Sequence, residues 1–172
     1  MSRVLELRKC KSVKFHPLPP YNFDANFHKP SHFPSSNSTW SSGFHWITML
    51  WRDKTLGLKF ENNGSIENPC IKLTIFSPPK QLLTDQYRES LTQEISWRFN
   101  FNQDISKFCS EYKKDEFLEA PIRHWKGMKP IASNSLYEML VIYVVLQNAT
   151  VKRSVQMLEN LFARFGEKSI FR

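Results

Sequence analysis

Five glycines in 172 residues, at positions 43, 57, 64, 127 and 166, are too few and too scattered to build a glycine-rich phosphate loop. With neither a Walker loop nor a dinucleotide fingerprint, nucleotide-cofactor chemistry is not expected. Cysteine is as sparse. Cys10, Cys70 and Cys109 are odd in number, far apart and outside any C-x-x-C pair, which excludes a disulfide framework, a zinc site or a four-thiolate cluster as the organising element. The apolar run at 139–146 is too short to cross a bilayer, and the alternation of basic and apolar residues from Met1 to Lys14 leaves no uninterrupted core for a secretory signal. A nucleophile elbow of the G-x-S-x-G type is also missing. His28, His32 and His45 lie close enough in sequence to be weighed as a metal set, but scattered packing or surface histidines explain them better. Asp115, Glu116 and Glu119 read as a solvated helix face rather than a catalytic pair. These absences lead to the expectation of a soluble intracellular protein, of cytoplasm, nucleoid or nucleus, with no cofactor, metal or membrane partner.

What is present is a core-forming composition with a basic excess. Hydrophobic residues make up 41% of the chain, enough for one respectable core or two small ones. Twenty-four Lys plus Arg against sixteen Asp plus Glu give a net charge of +8, which favours a polyanionic partner.

The hydrophobic period divides the chain near residue 80. Before it, Tyr21, Phe23, Ala25 and Phe27 alternate as in a half-buried strand, followed by an irregular loop through Trp40. Phe44, Trp46, Thr48 and Leu50 then share one strand face, Asp53-Lys54 turns the chain, and Leu56, Leu58 and Phe60 return on a second strand. Asn63-Gly64 offers a tight turn into Ile71, Leu73 and Ile75, completing an antiparallel meander. After Pro78-Pro79 the period becomes helical, with Tyr87, Leu91 and Ile95 behind a Thr84 cap. Asp104 opens a short helix bearing Ile105, Phe108 and Tyr112. Another is expected from Asp115 toward Trp125, with Pro121 near an end or a kink.

The strongest local signal is Ser135-x-x-Glu138, a capping box that starts an almost wholly apolar helix through Leu146. Its composition predicts a buried helix. Thr150 caps the next helix, striped by Val151, Val155, Leu158, Phe162 and Phe165 and closed by Gly166. Between the two helices lie Gln147, Asn148 and Ala149, beside a helix start carrying Lys152 and Arg153. Free amides at such a start can receive a phosphate, and a polar side chain at the tip can enter a duplex and fill the space left by an extruded base. On spacing alone, an ordinary helix-helix turn with incidental charges is the better fit.

The residues Met128-Lys129-Pro130, Ser135 through Leu140, Leu146-Gln147-Asn148, Arg153, Met157, Leu158, Leu161 and Phe165-Gly166 resemble the first helices of the helix-hairpin-helix DNA glycosylase superfamily. The branch is that of 8-oxoguanine DNA glycosylase and 3-methyladenine DNA glycosylase II. Pro20-Tyr21-Asn22-Phe23 is similar to the opening of the small sheet that precedes the helical body there. The resemblance implies an α+β fold, with an antiparallel sheet domain at 1–80 and the first helices of an incomplete glycosylase domain at 81–172. It implies DNA-contacting roles for Gln147, Asn148, Thr150, Lys152 and Arg153: Asn148 as wedge, Gln147 as its brace, Arg153 as reader of the opposite base and Lys152 as a phosphate contact. Asn148 with Arg153 points to the oxoguanine branch, Gln147 and the sheet opening to the methyladenine branch. The family's Gly-containing hairpin, catalytic aspartate and Schiff-base lysine have no counterpart here, so no catalytic residue is assigned. The expectation is the damage-recognition part of a base-excision DNA glycosylase, with AP-lyase activity if the complete protein is bifunctional. The chain alone is expected to be inactive, its partners being damaged double-stranded DNA and a missing carboxy-terminal half. The competing expectations are a non-catalytic DNA-binding or assembly module, and a protein-binding α+β domain presenting Phe33, Trp40 and Trp51.

Overall fold

In a computed structural model, which describes residues 4–28, 37–79, 81, 83–132 and 134–172, the chain is α+β. His32 and Phe33 lie outside the described residues. Six strands, β1 (Val4–Phe15), β2 (Ser38–Ser41), β3 (Phe44–Trp51), β4 (Lys54–Asn62), β5 (Ile71–Ser77) and β6 (Lys168–Phe171), form one sheet in the order β2-β3-β4-β5-β1-β6. Six helices accompany it: α1 (Phe23–Phe27), α2 (Asp85–Arg98), α3 (Ser106–Glu111), α4 (Glu119–His124), α5 (Leu136–Leu146) and α6 (Val151–Phe165).

The meander β3-β4-β5 follows from strict alternation. Leu56, Leu58 and Phe60 on β4 and Ile71, Leu73 and Ile75 on β5 have no exposed surface, and they pack against Tyr87, Leu91 and Ile95 at helical spacing on α2. The β3 residues Phe44, Trp46, Thr48 and Leu50 do share a face, but it is the outer one, opposite the core-facing Met49. The β3-β4 turn falls at Arg52-Asp53, with Arg52 at φ 54. The Asn63-Gly64 segment opens a loop to Cys70 rather than a two-residue turn. Gly64 is required there because a Cβ would stand 2.4 Å from both the Asn68 carbonyl oxygen and the Cys70 nitrogen.

Several expectations change. The stretch from Tyr21 to Phe27 forms no strand, and Phe23–Phe27 is a helix: the Asn22 side chain accepts from Ala25 N at 3.0 Å, and Phe23 and Phe27, four residues apart, stack at 4.4 Å on the same buried side. Trp40, expected in a loop, lies on β2. Trp40 and Trp51 both pack against the core instead of presenting a protein-binding surface. The sheet is not wholly antiparallel, because β6 pairs in parallel with Val4–Leu7 of β1. Neither end strand was expected; β1 carries a register shift between Lys9 and Lys11 that interrupts its alternation. The helix expected from Asp115 is shorter, since Asp115 Oδ1 accepts from the Phe117 and Leu118 amides and the helix begins only at Glu119.

A buried polar cluster joins the helical layer to the segment preceding the sheet hairpins. Lys129 is 1% exposed, and its Nζ donates to the carbonyls of Leu18 (2.8 Å) and Gln103 (2.5 Å) while lying 5.2 Å from the centre of the Tyr21 ring. The fully buried Asn26 donates to the Asn22 and Gly127 carbonyls and accepts from the Lys129 amide. Gly127 sits at φ 81 with its Cβ position 2.6 Å from Asn22 N, so only glycine fits this crossing. Burial holds the Lys129 ammonium below its ordinary range, with Asp104 opposing that shift.

Two outcomes follow. Lys129→Met keeps the volume but strands two carbonyls, and should lower the unfolding free energy by about 2–4 kcal/mol in urea titrations; a loss below about 0.5 kcal/mol would remove the cluster's structural role. His45 is 8% exposed, its Nδ1 has no hydrogen-bond partner, and burial lowers its pKa from 6.5 to about 4. Its contribution is complete above pH 6.5 and is lost as pH falls toward 4, because there the unfolded chain takes up a proton that the folded chain refuses. Stability should drop by up to about 3 kcal/mol across that window, and His45→Phe should flatten this part of the profile. A profile unchanged by the substitution would contradict the assignment.

Candidate nucleic-acid interface

The junction of α5 and α6 is set up from below. Ala132 N bonds to Arg98 O at 2.8 Å, and Ile131 packs against the core, which fixes the approach to α5. The expected capping box forms in full: Glu138 N donates to Ser135 Oγ at 3.2 Å, and Ser135 N to Glu138 Oε2 at 2.5 Å. At the far end Gln147 leaves the helix in an extended conformation, and Asn148 turns the chain at φ 53. That left-handed region is strained for most side chains and tolerated by asparagine, so Asn148 is suited to this corner. Thr150 then starts α6, its Oγ1 accepting from Arg153 N at 3.4 Å.

One contact pins the two helices. Ser154, with no exposed surface, donates from Oγ to the Val145 carbonyl at 3.2 Å, and Leu158 is buried one turn further along α6. Gln147, Asn148, Thr150, Lys152 and Arg153, all named from the sequence, therefore project as one exposed group beyond a fixed base. The Thr150 hydroxyl is committed to capping, which leaves amides of the first α6 turn open to an anion. Neither Lys152 nor Arg153 has an acidic partner among the described residues. Ser154 was missed by the sequence reading; its only signal is a small polar residue inside the stripe from Val151 to Leu158.

The expectation that α5 is buried does not hold. Only Val145 is buried on that helix, while Leu136, Tyr137, Leu140, Tyr143 and Val144 are 54–77% exposed. The α6 stripe is likewise half covered, with Phe165 75% exposed. Apolar composition demanded cover, and the described residues supply none for that face. Two open clefts, of about 640 Å³ around Pro121, Arg123 and Trp125 and about 510 Å³ around Phe15, Trp97 and Asn100, include no junction residue. No group of three or more metal-ligating side chains occurs among the described residues, and no described helix is long and apolar enough to cross a membrane.

The architecture, a curled sheet followed by helices ending in the α5-α6 hairpin, is that of a DNA glycosylase-like fold. It is similar to the 3-methyladenine DNA-glycosylase from Archaeoglobus fulgidus, with a TM-score of 0.68 over 89% of this chain at 10% identity. The chain spans 50% of that protein's length. No protein-family model matches the sequence, and no curated protein does.

If Asn148 is a conformational corner, Asn148→Gly should leave stability unchanged or raise it by about 0.5–1 kcal/mol, and Asn148→Val should lower it by about 1–2 kcal/mol. Equal urea midpoints for the two variants would show that the turn is not held at positive φ.

Proposed function

We propose that the chain is the damage-recognition part of a base-excision DNA glycosylase acting on oxidised or alkylated purines in double-stranded DNA. The observation that carries this reading is the positive-φ Asn148, held exposed at the tip of a pinned helix hairpin beside Lys152 and Arg153, which have no acidic partner among the described residues. A wedge must be presented rigidly, because a mobile side chain would lose its ordering entropy on insertion. Gln147 braces Asn148, the open amides of α6 and Lys152 receive a phosphate, and Arg153 reads the base opposite the lesion.

Residues 1–80 supply five strands of the sheet in this scheme, 81–172 the first helices of the glycosylase domain and, in β6, the sixth strand. The base pocket, the carboxylate supporting base departure and any lysine attacking the sugar carbon come from a carboxy-terminal half, on the same or a second polypeptide. The chain by itself binds and does not excise, needs no cofactor, and works inside the cell where DNA is. A non-catalytic DNA-binding module is the second reading, favoured by the net charge of +8, which can track phosphates without base flipping.

The test is binding to duplexes with and without an abasic site. The Asn148→Ala, Arg153→Ala double variant should lose the preference for the abasic duplex, with Arg153→Ala alone costing about 1–3 kcal/mol of discrimination at the opposite base. Duplex affinity indifferent to both changes overturns the site. Strong salt-dependent binding with no abasic preference in the parent chain selects the second reading.

A further inference from the structure

The α5-α6 hairpin stands on two feet. Along it only Val145, Ser154 and Leu158 are buried, and the close backbone approach of the two helices is chiefly to each other. Its direction relative to the sheet is therefore set where the chain enters and leaves it. The entry is the docked Ile131 with the Ala132 N bond to Arg98 O. At the exit only Gly166 and Glu167 separate α6 from β6, which is held to β1 by Arg172 N donating to Leu7 O at 2.8 Å and Lys9 N to Arg172 O at 3.1 Å.

A four-residue strand at a sheet edge frays readily, and Phe171 supplies what its pairing lacks. The Phe171 ring stacks on Trp46 at 5.5 Å and on Phe76 at 5.4 Å, and it lies over Gly57, where an added Cβ would stand inside van der Waals contact of the ring. In the sheet order β5 and β1 stand between β4 and β6, so this contact ties the exit foot to the middle of the sheet and not only to its neighbour. We infer that Phe171 is a positioning residue: seated over Gly57, it fixes the tilt of α6 and with it the place at which Asn148 is presented. The 15 residues of α6 make a lever about 22 Å long, so a rotation of about 10° at its foot carries the junction roughly 4 Å. Oriented contacts tolerate a misplacement only on the order of 1 Å. The consequence for DNA rests on the function proposed above; the anchoring of the hairpin does not.

Pulsed electron-electron double resonance tests the inference in the full 172-residue chain, with its three cysteines changed to Ser and spin labels at Leu50→Cys on β3 and Gln156→Cys on α6, both exposed positions. The parent should give a narrow distance distribution. Phe171→Ala should widen it by roughly 4 Å, the sweep of the lever, and Phe171→Tyr should keep it narrow. Gly57→Ala, which sets a methyl group against the ring, should widen it too and add nothing once Phe171 is Ala. Met49→Ala, in the core on the other face of the sheet, should lower stability without widening the distribution, which separates a lost anchor from general loosening. In binding, Phe171→Ala should lose the preference for the abasic duplex and keep the parent affinity for intact duplex, since no charge is removed. A width unchanged by Phe171→Ala or by Gly57→Ala overturns the inference, as does equal widening by Met49→Ala. Widening by the first two with the abasic preference intact overturns the positioning role. The same widening beside a parent with no abasic preference upholds the anchor and removes the DNA reading instead.

Discussion

A lysine ammonium withdrawn from water holds this fold in register. Lys129 reaches the Leu18 and Gln103 carbonyls and the Tyr21 ring, and its own amide is taken by Asn26. Three segments distant in sequence, before α1, after α2 and ahead of α5, meet there. A buried cation with no ion pair among the described residues is costly even with Asp104 acting on it at a distance, and carbonyl dipoles with an aromatic face offset that cost only when they are fixed in place. The cluster therefore depends on the Gly127 crossing, where no side chain fits, and on the Asn22 cap that turns residues 23–27 into a helix.

That anchoring carries through to the junction. The segment after Lys129 docks Ile131 on the core and leads to Ser135 and its capping box, which sets where α5 begins. The length of α5 then sets where Gln147 and Asn148 emerge, and the Ser154 bond to Val145 fixes how α6 returns. The two ends of the chain close the arrangement, since β6 pairs with β1 and the Phe171 ring lies against Gly57, Phe76 and Trp46.

Local chemistry made part of this legible in the sequence. The β4 and β5 alternation, the Thr84, Ser135 and Thr150 caps and the α2 spacing each specify an element within a few residues. The end strands went unread although basic and apolar residues alternate from Met1 to Lys14, and the parallel pairing of Val4–Leu7 with Lys168–Phe171 leaves no mark in either segment. The stretch 21–27 misled for a different reason. Aromatics at 23 and 27 satisfy a strand period and a helix period alike, and the Asn22 cap decided between them. At the candidate site the exposed positions of Gln147, Asn148, Lys152 and Arg153 were readable from their place between caps. The positive φ of Asn148 and the pin at Ser154 were not, since both arise from how two helices meet. Composition suggested a buried α5, and that inference failed because burial belongs to whatever packs on a helix and not to its residues alone.

Amide hydrogen exchange with and without a duplex containing an abasic site tests the central claim, that the α5-α6 junction is the nucleic-acid contact. The account predicts slowed exchange in residues 147–153, with the β-sheet unchanged. Protection confined to the outer face of β3, β4 and β5, with 147–153 exchanging as in the free protein, would contradict it.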